Sequence, residues 1–137
     1  MMATRSPLKK HILQQAIAVA LSSPSKKLVG AILLKRNRLI ASAVNMENKS
    51  HPVQKKFACL MEDENYHHKI YLHAEINCLI RAREDADTIV VARVGGHQHN
   101  ELRNAKPCLI CSAAIRSQGI RHVHYSTDEG FMYEYWD

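Results

Sequence analysis

Two short stretches of this 137-residue chain combine side chains able to hold a metal ion and move a proton. The first, Leu72-His73-Ala74-Glu75-Ile76, sets an imidazole and a carboxylate two positions apart. The second, Lys106-Pro107-Cys108-Leu109-Ile110-Cys111, brings a pair of thiols; 31 residues lie between Glu75 and Pro107. One imidazole and two thiolates supply three protein ligands to an ion such as zinc, which prefers four in a tetrahedron, so the fourth position stays open to water. An open position marks a catalytic site, not a structural staple.

The spacing also assigns roles. Cys108 and Cys111 stand at i and i+3, so both sulfurs project from one side of the first turn of a helix starting near Pro107, a residue favoured there. Unpaired N–H groups and the positive end of that helix favour thiolate over thiol. Zinc held by His73, Cys108 and Cys111 would lower the pKa of bound water to about 7. Glu75 is not counted as a ligand; beside such a water it is the expected proton carrier of general acid/base catalysis.

His73-Ala74-Glu75 followed by Pro107-Cys108-Leu109-Ile110-Cys111 has the H-x-E…P-C-x-x-C form of zinc nucleobase deaminases. It resembles the cytidine and deoxycytidylate deaminase superfamily, which also contains the tRNA adenosine, guanine and AID/APOBEC deaminases. The segment Ala113-Ala114-Ile115-Arg116-Ser117-Gln118-Gly119-Ile120-Arg121-His122-Val123 looks like the helix, glycine stop and strand that follow the cysteines in deoxycytidylate deaminases. The resemblance implies a single-domain α/β fold of three layers, with a mixed sheet of four to five strands and helices on both faces. It implies hydrolytic loss of an exocyclic amine as ammonia from a cytosine nucleoside or nucleotide, and a homo-oligomer. Two substrate contacts come with it: the Asn45 side chain on sugar or base and the Ala74 backbone N–H on the base carbonyl; Lys106, beside the cysteines, is placed to reach a phosphate or else is a solvated lysine. Asn45-Met46-Glu47-Asn48 also looks like the N-x-E-N of nucleoside cytidine deaminases, although those enzymes carry Cys where this chain has His73. A deaminase of single-stranded nucleic acid or of a purine is the alternative within the class. A zinc-stapled nucleic-acid-binding module without activity is the alternative outside it; Glu75 argues against it, because a structural site has no use for a non-ligating carboxylate.

Length and composition agree with one domain, 1–137, able to bury its own core; a hydrophobic content of 46% is ordinary for a globular protein. No apolar run approaches the roughly 20 residues that span a bilayer, so no membrane partner is expected. Arg5, Lys9 and Lys10 before an apolar stretch imitate a signal peptide, but the uninterrupted run at 16–21 is only six residues. Helical periodicity reads it better: Leu8, Ile12, Leu13, Ala16, Ile17, Ala20 and Leu21 share a face, with Ser6 as cap and Pro7 in the first turn. With two of four cysteines committed to metal, Cys59 and Cys78 need no disulfide, which points to a reducing cytoplasm. Asn48-Lys49-Ser50 matches a glycosylation sequon, read as accidental in that compartment.

Further elements follow from pattern. Residues 28–34 and 39–44 are apolar, β-branched runs around a polar turn, a hairpin. Residues 45–71 form a long connection with a candidate helix at 53–61. Residues 71–83 return to helical spacing with Ile76, Leu79 and Ile80 inward, 88–94 is a third strand, 108–118 a helix stopped by Gly119, and 120–125 a fourth strand. The hairpin is antiparallel and the later strands parallel, which sets both ligand-bearing helix starts beyond carboxyl ends of strands. The aromatic tail at 130–136 reads as a fifth, edge strand, as a subunit contact, or as a lid stacking a base.

Charge is uneven: residues 1–72 carry 12 Lys and Arg against 4 acids, and residues 73–137 carry 7 against 9. A basic half suits a phosphate-bearing substrate or simply a solvated surface, since Lys9, Lys10, Lys26, Lys27, Lys35, Arg36, Lys55 and Lys56 spread over several elements. His11, His51, His67, His68, His97, His99 and His122 read as surface or loop residues, His51 before Pro52 being the strongest exception.

Overall fold

The computed structural model describes residues 2–60 and 71–137. A central sheet is built on the hairpin of β2 (Leu28–Lys35) and β3 (Arg38–Val44), whose connecting residues Arg36 and Asn37 both adopt positive φ, at 51° and 64°. That left-handed pair matches the twist of a tight hairpin. β2 then pairs antiparallel with β6 (Thr88–Gly95), and β6 pairs parallel with β8 (His122–Thr127), the return being made through α4 (Leu109–Ser117). β9 (Gly130–Tyr135) runs antiparallel to β8, and β1 (Thr4–Arg5) lies outside it. A short strand, β7 (Glu101–Arg103), adds to the far end of β6.

The main sheet therefore has seven strands, more than the expected four to five. Its added members are two- and three-residue strands too short to show alternation. The expected hairpin and the one parallel pair are both present. The tail occupies an inner position between β1 and β8, which rules out a lid: Phe131 packs toward one face while Met132 and Trp136 pack toward the other.

Side chains of the inner strands alternate between two cores, as the period of a strand requires. Ile32, Leu34, Val90 and Ala92 face α1 (Lys10–Leu21) through Ile12, Ala16 and Ala20. Ala31, Leu33, Ile89, Val91, Val123 and Tyr125 face the opposite layer, formed by α3 (Ala74–Arg81) and α4. Three layers result. α1 lies so close to the sheet that a Cβ on Gly30 would run into the Ala20 backbone.

Several expectations shift. α1 begins at Lys10 with Lys9 as its N-cap, so Ser6 is not the cap. The Ser6 N–H instead donates to the Phe131 carbonyl at 2.9 Å, continuing the β1–β9 ladder, and its Oγ sits 2.7 Å from His124 Nδ1. Leu21, expected inward, is 48% exposed; the helix ends as its face turns away. Ile80 likewise faces out, while Asn77 is buried, its Nδ2 donating to the Val44 carbonyl at 2.8 Å and its Oδ1 accepting from Arg81 at 3.1 Å. Tyr71–Leu72 is not helix but β5, paired with β4 (Met46–Ser50) in a separate two-stranded sheet. The helix expected at 53–61 is α2 (Pro52–Cys59), capped by His51; residue 61, and with it His67 and His68, lies outside the described residues. Gly119, at φ 75°, ends α4 as expected.

Candidate metal centre and active-site cavity

α3 and α4 each start at the end of the sheet where β3 and β6 finish and β2 begins, and each is capped by a ligand-type residue. His73 is the N-cap of α3 and Cys108 the N-cap of α4, both in extended conformation, with Cys111 one turn into α4. His73 Nδ1 lies 3.2 Å from Cys111 Sγ and 3.6 Å from Cys108 Sγ. All three donor atoms fall within 4.8 Å of one another. Tetrahedral zinc with bonds of about 2.0 Å to nitrogen and 2.3 Å to sulfur needs nitrogen-to-sulfur edges of about 3.5 Å, and the two observed edges fall on either side of that value. It is the one such group of three or more among the described residues.

Burial and mutual contact perturb the two thiols in opposite directions. A hydrogen bond from Cys111, the largest influence, holds the Cys108 thiol down at about 4, while burial pushes the Cys111 thiol well up. The two thiols are thus driven apart, Cys108 toward the thiolate and Cys111 toward the thiol. Glu75, in the first turn of α3, is 6% exposed. Burial raises its carboxyl above the ordinary carboxylate value, against the opposing pull of His73. By contrast Cys78, on the same helix, is pushed up to about 12 by burial and is an inert core thiol.

Above this trio lies a cavity of about 260 Å³, lined by Lys27, Val29, Asn45, Tyr71, His73, Ala74, Glu75, Arg93, Asn104, Ala105, Lys106 and Cys108. Every expected site residue except Cys111, which is buried beneath, lies on its wall. Asn45 is largely committed to structure: its Oδ1 accepts from Ser23 Oγ at 2.7 Å and the Val29 N–H at 3.3 Å, and its Nδ2 donates to the Lys27 carbonyl at 2.9 Å. The amide keeps one N–H for a ligand. Lys106 Nζ pairs with Glu134 at 3.0 Å. That buried carboxylate also accepts from Tyr125 Oη and, at 3.1 Å, from Trp136 Nε1. Glu47 lies off the cavity, its carboxylate accepting the Lys27 N–H at 3.3 Å.

Six cavity residues were not singled out from sequence as site residues, and three of them, Tyr71, Lys27 and Arg93, carry side chains suited to a substrate. Tyr71 is 42% exposed and its ring stands 5.0 Å from that of His73. Lys27 and Arg93 face the cavity, and neither side chain makes an ion pair among the described residues. Arg93 had a signal: a guanidinium inside the apolar run Ile89-Val90-Val91-Ala92-Arg93-Val94 must point somewhere wet or anionic.

A three-layer α/β domain with one histidine and two cysteines clustered at two helix starts, and a buried carboxylate beside them, has the make-up of a zinc-binding deaminase. Residues 7–127 match the cytidine and deoxycytidylate deaminase zinc-binding region, and the chain belongs to that family. The comparison with curated proteins returned no match. No helix among the described residues is long and apolar enough to cross a membrane.

Proposed function

We infer that this protein hydrolyses the exocyclic amine of a cytosine nucleotide, replacing C–NH2 by C=O and releasing ammonia. The observation that carries this reading is the Glu75 carboxyl, buried against the metal trio at the floor of a cavity with Lys27 and Arg93 on its walls. When bound by His73, Cys108 and Cys111, zinc supplies Lewis-acid activation of water.

The remaining work falls to the chain's own groups. Glu75, kept from bulk water, takes one proton from the attacking water and delivers it to the ring nitrogen; it then takes the remaining hydroxyl proton of the adduct and delivers it to the amine, so that C=O forms as the C–N bond breaks and ammonia leaves. Its raised pKa brings it closer to neutrality, where a group can both accept and donate. Ala74, the first residue of α3, presents a backbone N–H without an intrahelical partner; this is a natural donor to the base carbonyl. The Tyr71 ring gives the base a flat apolar wall. Asn45 keeps one amide hydrogen for the sugar. Lys27 and Arg93 favour an anionic substituent, Arg93 with a planar fork suited to phosphate; Lys106, already bound to Glu134, is the weaker candidate. A cytosine nucleoside monophosphate offers a chemical partner to each of these groups.

Ammonia release from cytosine, cytidine, deoxycytidine, their monophosphates, adenosine and a cytosine-containing single-stranded oligonucleotide tests the reading, each with zinc-loaded protein at low and high salt. Preferred turnover of a monophosphate is expected. An inert nucleotide alongside an oligonucleotide deaminated with a steep salt dependence would replace it by a polynucleotide editor.

A further inference from the structure

Gln54 lies outside both metal motifs, yet it touches the metal site. It is the third residue of α2, whose first turn is pinned by Pro52 and by His51 Nδ1, which accepts the Val53 N–H at 3.1 Å. Its side chain has no exposed surface. The Oε1 accepts the backbone N–H of His73 at 3.2 Å, while the Nε2 finds no hydrogen-bond partner among the described residues. Burying an amide with an unsatisfied NH2 costs stability that an apolar side chain of similar shape would not cost. The bond to His73 is what the residue gives in return.

That bond falls at a sensitive point. His73 is the N-cap of α3, in extended conformation, so its N–H belongs to no helical turn. Fixing the N–H fixes the peptide plane from which the imidazole is directed at the two sulfurs. α2 also borders the other ligand helix, since Ala58 shares one buried cluster with Ile76 of α3 and with Ile110, Cys111 and Ala114 of α4. A single helix thus registers both ligand-bearing elements.

We propose that Gln54 is a positioning residue that sets the His73 imidazole for metal binding through the peptide N–H of that residue. The inference rests on the zinc reading above. Outer partners of metal ligands change metal affinity about 10- to 100-fold when removed.

The test compares Gln54→Leu, which removes the acceptor at similar volume, with Gln54→Glu, which keeps it. The readouts are the rate of zinc transfer to a chelator, the visible spectrum of the cobalt-substituted protein, and the melting temperature of the metal-free form. Positioning predicts zinc transfer faster by about tenfold or more in the Leu variant, a shifted cobalt spectrum, and a metal-free melting temperature no lower than wild type. The Glu variant should lie near wild type in both metal readouts. Unchanged zinc transfer and cobalt spectrum in a folded Leu variant would overturn the proposal, as would a Glu variant as defective as Leu. Should Gln54→Leu not fold, Gln54→Met carries the same readouts, and failure of both to fold would show a structural role instead. Wild-type protein taking up no cobalt would refute the metal reading itself, and this inference with it.

Discussion

Replacing Glu75 by Gln separates the chemistry of the site from its architecture. Gln matches the carboxyl in size, so zinc content and fold are retained, but it cannot carry the proton. A positioned general acid/base contributes about 10²- to 10⁴-fold, which corresponds to about 2.7–5.4 kcal/mol of barrier. At 6% exposure bulk water cannot take over the transfer, which favours the upper half of that range. The same burial makes a second prediction for metal-free protein. Because the folded-state pKa is raised above the ordinary 4.5, the folded protein holds more protons than the unfolded chain between 4.5 and that raised value. The contribution of Glu75 is then fullest below 4.5 and is lost as pH rises through the folded pKa. No other change to the site is needed to see it: metal-free Glu75→Gln should be at least as stable as wild type at pH 8 and show a flatter profile between pH 5 and 8. Metal analysis, ammonia release and thermal melts of the metal-free proteins measure all three. Turnover within about threefold of wild type at full zinc content, below even the low end of that range, would show that Glu75 is not the proton carrier.

Cys108→Ser or Cys111→Ser should abolish zinc retention, and chelation of the wild-type protein should lower its melting temperature, since metal binding free energy acts as folding free energy. Zinc uptake should release protons and weaken as pH falls, because the Cys111 thiol, pushed up by burial, must deprotonate to bind; calorimetry in buffers of different ionisation enthalpy reads this, and no proton release would count against a protonated Cys111 in the metal-free protein. Arg93→Ala should raise KM for a cytosine monophosphate by about 10-fold or more, the value of a hydrogen bond to a charged group, and leave the nucleoside unchanged; an equal effect on both would remove Arg93 from phosphate binding. His124 is 3% exposed and burial lowers its pKa from 6.5 to about 4. The unfolded chain therefore binds the extra proton first, and stability is lost as pH falls from 6.5 to about 4, by about 2–3 kcal/mol. Urea titrations at pH 7 and pH 4.5 should show that loss and its reduction in His124→Gln.

The clustering of His73, Cys108 and Cys111 beside a buried Glu75 was legible in one dimension because it is made of local constellations. Two residues at a helix start and two cysteines one turn apart keep their relative geometry wherever the helices go, and Gly119 ends α4 by its own backbone freedom. Amphipathic spacing likewise located α1 and the inner strands, whose alternation is a property of the chain alone. What spacing could not reveal was which side of a short helix is inside when anchoring is polar: Asn77 displaces Ile80 from the interior because its amide meets the Val44 carbonyl. Nor does a largely exposed segment such as Met46–Ser50 carry a strand signal, since its pairing with Tyr71–Leu72 is a backbone matter. The cavity walls belong wholly to tertiary structure. Arg93 stands opposite Val29 through the β2–β6 register, which brings it and neighbouring Lys27 to one cavity, and a one-residue slip would turn Arg93 into the opposite core. Gln54 reaches His73 only because α2 packs beside α3 and α4. Ligand identity is written in residue spacing, whereas the surroundings that select a substrate arise from residues far apart in sequence, joined by register and packing.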